Sequence, residues 1–517
     1  MSIDHPSSTR PETPRLVLVF LGVVIAALAI LRLPFIVFGP GMQDENWFSV
    51  PGWTVANAGI PRMPYVPVED RESVFYRAHD ILFALPPALF YAQAPFFWIF
   101  PATYTTARIP SWIAGMVALF LVFQIAKRFG IRDSVALAAV VICGMSRPFF
   151  FAWTNARPDM MCAAFGLAAM LFALKFLDQP SRRLAATAGL FVGLGLLSHP
   201  FGIVFAFQLA IVMLFLAHGV DWQERIVCLT IAGLVSAAAL ALWVPLILVD
   251  PDAFWVQFSN NVLSRSGPGL VSRLVWPWAS LTFQLGLFQN RNGAFQTVLC
   301  GFAIVAGVMI CFVKRNPAVE RGVTLAFSAL YLHLASVGFH TLIDYWCYTW
   351  AWVTLLTVLA LEAFATSIAE LRYSRLLTAS AALAIMASLA LGSGVRPFWV
   401  YLTRWGEVDY NRTAFCRQLA ERFPKDAKLI VASDYVFEFE ALGRKPVNAS
   451  LLGMYQDVSG LDFDYWIASR SNTLEELPQS LGCEKLYSLG NCDDSLSCYV
   501  DVYAAPVNDA PRKPWPR

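Results

Sequence analysis

"LVLVFLGVVIAALAILRLPFIVFGPGMQDENWFSV", residues 16–50, decides the class of fold. Its first part, 16–38, is an apolar run longer than the roughly 20 residues that a helix needs to cross a bilayer. Its second part breaks at Gly39–Pro40 and sets Asp44 beside Glu45. Trp47, Phe48 and then Trp53 follow, ring types that settle at the membrane–water interface. No small-residue cleavage site follows the run, so it reads as an uncleaved span. Residues 1–15 ahead of it are polar and Pro-rich and read as a disordered cytoplasmic tail.

The rest of the chain agrees with a membrane setting. It is 57% hydrophobic and 14% charged, with mean hydropathy +0.55. A soluble domain is about 45–50% apolar and about 25% charged. A net charge of +2, with no basic run beyond a pair, gives no footing for a nucleic-acid partner. Membrane lipids are the expected surroundings.

Eleven runs could span: 16–38, 109–126, 134–152, 159–177, 185–198, 200–217, 226–249, 294–313, 321–340, 345–365 and 376–394. A twelfth candidate, 81–100, contains Pro86, Pro87 and Pro95, each lacking a backbone donor. Charge decides its placement. With the N-terminus inside and 81–100 omitted, every inside loop is basic: Lys127, Arg128 and Arg132; Lys175, Arg182 and Arg183; Arg225; Lys314, Arg315 and Arg321; Arg372 and Arg375. Segments 81–100 and 274–289 are therefore expected to be interfacial or re-entrant on the outer face. Outer elements would be the loop 39–108, the loop 250–293, the turn 340–346 and everything after about 395.

The organisation expected is thus a tail, 1–15; a polytopic α-helical membrane domain, 16–394, including the outer loop 39–108; and a small exported α/β domain, 395–517. In that last region "AFCRQLAERF" has helical periodicity, and "KLIVASDY", "DYWIASR" and "SCYVDVYA" read as strands. Six of the ten cysteines lie in apolar runs. The other four, Cys416, Cys483, Cys492 and Cys498, would suit disulfides in an exported domain, Cys492 with Cys498 or each with Cys416 or Cys483.

Ionisable residues concentrate on the expected outer side. Asp44 and Glu45 could be no more than an acidic helix start, but a carboxylate at the interface can also take a proton from a hydroxyl. The stretch "PYVPVEDRESVFYRAHD", 64–80, holds Glu69, Asp70, Arg71, Arg77, His79 and Asp80, and long ordered loops tend to carry function. In "WTNARPDMMCAAF", 153–165, Arg157 and Pro158 precede Asp159 at the start of a span. His199–Pro200 divides two spans, and His340 and Asp344 sit beside an aromatic belt in "HTLIDYWCYTWAW", 340–352.

Taken in order, a first span, an outer "DE" pair, "PY…E…", a Pro-containing apolar stretch, "ARIPSWIAGMVALFLVFQIAKRFG" and "ARPDMM" resemble the GT-C membrane glycosyltransferases over about 15–215. The bacterial relatives of the protein O-mannosyltransferases and of the aminoarabinose transferase acting on lipid A are the most similar in pattern. The resemblance implies a GT-C-like fold in a bacterial inner membrane, and the basic inside loops imply a cytoplasmic N-terminus and an outer C-terminus. It implies transfer of a sugar from a polyprenyl-phosphate donor to an outer-face acceptor, which could be a lipid, a glycan or a protein. It places the catalytic carboxylate at Asp44 and a second acidic residue at Asp159. Two departures stand out. Pro51–Gly52 should interrupt the helix after the acidic pair, and His199–Pro200 stands where many relatives carry a Lys.

The chemistry sorts the candidates. A lipid phosphate is a good leaving group and needs charge stabilisation more than a general acid, whereas a glycosidase needs two flanking carboxyls. Asp44 is the expected base, with Glu45 and Asp159 in support. Arg71, Arg77, Arg157 and His199 are candidate phosphate contacts, Arg being suited to bidentate pairing. Glu69, Asp70, His79, Asp80, His340 and Asp344 are candidates for the acceptor or for a divalent cation. The competing reading, a transporter or flippase for a lipid-linked sugar, calls for internal repeats and mid-membrane charges. No repeat is visible, and most charges sit at span ends.

Overall fold

The computed structural model describes residues 14–42, 44–65, 68–264, 270–313, 316–339, 343–370, 372–392, 395–449, 461–470 and 476–506. The N-terminal tail, His340 and the Lys314–Arg315 pair lie outside the described residues.

The first eight helices frame the site: α1 (Arg15–Phe38), α2 (Asn46–Ala58), α3 (Ala88–Ile99), α4 (Tyr104–Arg128), α5 (Asp133–Met145), α6 (Arg147–Thr154), α7 (Asp159–Asp178) and α8 (Arg182–Ser198). Further helices include Trp222–Leu240, Ala294–Val313, Pro317–Val337, Cys347–Ser367 and Ser374–Gly392. The helix Cys347–Ser367 and α7 are sheathed by neighbours, whereas α1 keeps Leu16, Val19, Phe20 and Val23 exposed. Apolar side chains bared on such a scale mark a lipid-facing rim. By its 20 residues α7 is about 30 Å long, the thickness of the hydrocarbon core. At its far end Asp178 binds Arg128 at 2.8 Å and Arg321 at 3.3 Å. Asp159 opens its near end.

Each of the eleven expected runs is helical, but among the described residues six helices are long and apolar enough to cross a membrane. The run 134–152 is not one rod. It bends by 66° between α5 and α6, and the two helices count as a seventh span only if taken together. Pro148 is the cause: in a continuous helix its ring would meet the carbonyl four residues back, so Ser146 turns extended and α6 starts afresh. Segment 200–217 is a shorter apolar helix made of a 3-10 turn, Pro200–Gly202, an α-helix, Ile203–Ile211, and a π-helical turn, Val212–Leu216.

The prolines of 81–100 have the expected effect on length. Helix α3 has 12 residues, about 18 Å, too short to cross. Ahead of it Phe83 and Ala84 donate their backbone N–H groups to the Gln257 side chain at 2.7 and 2.9 Å. Segment 274–289 likewise breaks at Pro277, between Leu270–Val275 and Trp278–Asn292. The interruption expected at Pro51–Gly52 does not occur, because α2 runs unbroken through both. The Pro51 carbonyl accepts from Thr54 Oγ1 at 2.9 Å, and Gly52 lets α3 approach. A Cβ there would lie 2.0 Å from Gln93 Oε1.

Toward the C-terminus a five-stranded sheet forms in the order β2-β1-β3-β5-β4. Its strands are β1 (Leu429–Val431), β2 (Val447–Asn448), β3 (Tyr465–Ser469), β4 (Glu484–Gly490) and β5 (Tyr499–Ala504). β1 is parallel to β2 and β3, and β5 is antiparallel to β3 and β4. All ten cysteines are free thiols, contrary to the expected disulfides. Cys416, Cys483 and Cys498 are turned into the core, while Cys492 faces solvent beside Asp493, so the local pair points in opposite directions.

This region is fastened to the bundle by buried polar contacts. Arg412, wholly buried, pairs with Glu438 at 2.8 Å, reaches Thr105 Oγ1 at 3.1 Å and donates to the Gly39 carbonyl. Tyr104 donates its hydroxyl to the Ser433 carbonyl at 2.8 Å, and Asn448 donates to Asn46 Oδ1 at 2.9 Å. At Gly41 the chains come so close that a Cβ would lie 2.2 Å from the Asp434 carbonyl oxygen. The segment 39–46 is therefore held from both sides.

Candidate active site

Glu45 precedes α2 but does not cap it. Its side chain turns inward to Arg108 on α4, with Oε1 accepting from Nε at 2.8 Å and Oε2 from Nη2 at 2.6 Å. Oε1 also accepts from the Ala156 N–H at 2.7 Å, and Oε2 from the Met42 N–H at 2.9 Å. Both members of the pair are fully buried. Arg108 further donates to the carbonyls of Phe35, Ile36, Gly39 and Pro40, where α1 ends and the helix ladder runs out. Burial alone would raise the Glu45 carboxyl, but Arg108, the Ala156 N–H and Arg412 together hold it below the usual carboxylate range. The expected catalytic helper is thus a strut joining α1, α4 and the two acidic loops.

Its neighbour Asp44 points the other way. Asp44 Oδ2 accepts from Arg157 Nη1 at 2.6 Å. The Arg157 Nε faces Asp159 Oδ2 at 2.9 Å and Asp344 Oδ2 at 3.3 Å. Three carboxylates from three remote stretches converge on one guanidinium, which lies between the rings of Phe48 and Tyr345. Ser111 on α4 fixes this loop by donating to the Arg157 carbonyl at 2.9 Å. Asp159 Oδ1 accepts from the Tyr348 hydroxyl at 3.0 Å, and the His199 ring packs by Tyr345 and Tyr348. Asp344 Oδ1 is buried with no hydrogen-bond partner among the described residues. Side-chain exposure separates the three: Asp159 0%, Asp344 3%, Asp44 22%. Only Asp44 offers an oxygen to an incoming group.

The structure therefore gathers Asp44, Arg157, Asp159, Asp344 and His199. It does not bring in the rest of the loop. Arg71 is paired with Asp252 at 2.7 Å and Arg77 with Asp250 at 2.9 Å, so these expected phosphate contacts instead tie two loops together. His79 lies 3.5 Å from Asp80 and 4.0 Å from Glu69, and Asp70 accepts from the Glu72 N–H. None of these residues makes an ion pair with the Arg157 cluster among the described residues. Arg157 too is not free for phosphate, because carboxylates already surround it. No group of three or more His, Cys, Asp or Glu among the described residues could hold a metal ion. The carboxylates face Arg157, which fills the place a cation would take, so the arrangement does not fit a divalent ion.

Sequence reasoning missed Arg108, Tyr348 and Arg412. Arg108 carried a signal, a lone charge leading into an apolar run. Tyr348 was hidden among belt aromatics, and nothing local marks Arg412.

Residues 84–248 match the family model described as dolichyl-phosphate-mannose-protein mannosyltransferase. That segment includes Arg108, Arg157 and Asp159 and begins after Asp44. No curated protein sequence matches the chain. Among solved structures, ArnT from Cupriavidus metallidurans bound to undecaprenyl phosphate superposes with a TM-score of 0.59 at 14% identity, over 95% of this chain and 98% of that one. Its apo state gives 0.54 at 14% identity, over 94% and 98%. The oligosaccharyltransferase of Archaeoglobus fulgidus in the apo form gives 0.55 at 13% identity, over 96% and 75%. The chain has the fold of these membrane glycosyltransferase structures, and its segment 84–248 matches the mannosyltransferase family model.

Proposed function

We propose that this protein transfers a sugar from a polyprenyl-phosphate carrier to an acceptor on the outer face of the membrane. The observation that carries the reading is the exposure of Asp44 at the edge of a cluster whose other carboxylates are sealed. The family match over 84–248 and the likeness to a structure holding undecaprenyl phosphate support the donor class.

In the reaction an acceptor hydroxyl oxygen attacks the anomeric carbon. The bond from that carbon to the phosphate oxygen breaks, polyprenyl phosphate leaves, and the hydroxyl proton passes to Asp44. Arg157 holds Asp44 in place, while Asp159 and Asp344 hold Arg157. Glu45 positions the loop through Arg108 and touches no substrate. His199, beside Tyr345 and Tyr348, is the remaining candidate for the donor phosphate.

The test is transfer of a labelled sugar by purified protein. Asp44→Asn keeps shape and removes the base, and turnover should fall about 10²–10⁴-fold. Its melting temperature should stay near wild type, because Asp44 is partly solvated. Transfer by Asp44→Asn at the wild-type rate would overturn the assignment. Formation of a new glycosidic bond in detergent also excludes a flippase, which makes none.

A further inference from the structure

A cavity of about 490 Å³ lies where the end of α1, the start of α6 and the sheet-bearing region meet. One wall is aromatic: Phe35, Phe150 and Phe151, with Phe35 and Phe150 edge to face at 5.3 Å. Phe35 belongs to the last turn of α1, so this wall stands at the mouth of a lipid-facing helix. The lining also carries Arg396 and Arg470, both already engaged. Arg396 binds Asp494 at 2.9 Å, and Arg470 donates to the Asp494 carbonyl at 2.8 Å. The carboxylate on the lining, Asp434, accepts from Ser469 Oγ at 2.8 Å.

Arg147 differs from these. It lines the same cavity, yet it has no hydrogen bond or ion pair with any described residue. Its Nε is sealed from solvent without a partner, and its guanidinium lies 5.2 Å from the Phe151 ring centre. The charged group acting on it is Arg291, a second cation. An unpaired buried donor is unfavourable, and the guanidinium fork matches phosphate oxygens. The volume falls within the roughly 300–1,000 Å³ of small-molecule sites, enough for a head group and too small for a folded partner. Met42 also lines the cavity, and its N–H is held by Glu45, so the wall is continuous with the loop bearing Asp44.

We infer that this cavity receives the phosphate-bearing head of an amphiphilic acceptor, with Arg147 as its anion contact and the aromatic wall against its apolar part. The acceptor role rests on the glycosyl-transfer reading; the anion contact does not. The experiment measures binding to full-length protein in neutral detergent, with dioctanoyl phosphatidic acid as probe and dioctanoylglycerol as the uncharged control. Wild type should bind the phosphatidic acid and not the diacylglycerol. Arg147→Gln should bind it about tenfold more weakly, the scale of one charge-assisted contact, and Arg147→Lys should fall between. Polyprenyl phosphate should bind all three proteins alike. Unchanged phosphatidic acid binding by both variants, or equal binding of the uncharged lipid, overturns the proposal. Parallel loss of polyprenyl phosphate binding would make this the donor's site and overturn the acceptor assignment. Binding needs no turnover, so a failure here is distinct from an active Asp44→Asn.

Discussion

Exchanging Glu45 for Gln should injure the fold where Asp44→Asn injures turnover, although the two residues are adjacent. Glu45 accepts four hydrogen bonds, two from Arg108 and one each from the Ala156 and Met42 N–H groups. An amide keeps one accepting oxygen and turns an NH₂ toward donors. The Arg108 charge then stays buried without its counter-ion, a loss of about 3–5 kcal/mol. The four carbonyls that Arg108 also contacts keep the loss toward the lower figure. Against a total stability of about 5–15 kcal/mol, that is a large share. Melting in detergent, followed by tryptophan fluorescence, should fall by about 3 °C, at about 2.1 cal/mol/K of unfolding entropy per residue. Arg108→Gln should fall comparably, and the double variant by less than the sum, the shortfall being about 0.5–3 kcal/mol. Acid supplies a further check. Arg108 and its neighbours hold the folded carboxyl below the ordinary glutamate value of 4.5, so its contribution is complete above that pH and is lost as pH drops through the folded value. The gap between wild type and Glu45→Gln should therefore close below about pH 4.5 and stay constant above it. A Glu45→Gln protein that melts with wild type yet transfers sugar as poorly as Asp44→Asn would refute the strut and return Glu45 to the reaction.

Three further outcomes follow from the contacts. Arg412→Met should loosen segment 39–46 and lower transfer, read as faster hydrogen exchange there; unchanged exchange would show that the C-terminal region does not hold the loop. Arg71→Ala breaks an exposed, solvent-screened pair and should leave the apparent KM for the lipid-linked sugar unchanged, whereas a large rise would restore Arg71 as a phosphate contact. Native protein should take one maleimide in its C-terminal region, at Cys492, and label Cys416, Cys483 and Cys498 only after denaturation without reductant; labelling of those three only after reduction would show a disulfide.

The sequence carried its class in a crude variable, apolar length, which survives whatever the helices do in detail. It failed where backbone satisfaction is tertiary. Segment 134–152 is apolar enough to span, but Pro148 resets the helix and a 66° bend results. The α2 case runs opposite, because Pro51 is absorbed and Gly52 serves the packing of α3 rather than a break. Charges show the same divide. A loop dense in Glu, Asp and Arg looks like a binding surface from sequence, since like and unlike charges at 64–80 are read without their partners. In the fold Arg71 and Arg77 are spent on Asp252 and Asp250, residues about 170–180 positions away. Asp44, Arg157 and Asp344 are separated just as widely, and no local pattern could say that they meet. What sequence does show is the price of a charge in an apolar setting: Arg108 and Asp159 each begin an apolar run, and each is fully buried with a charged partner. Arg147 is the exception that gives the rule its use. It also stands at the start of an apolar helix, yet it has no side-chain partner among the described residues, and it lines a cavity.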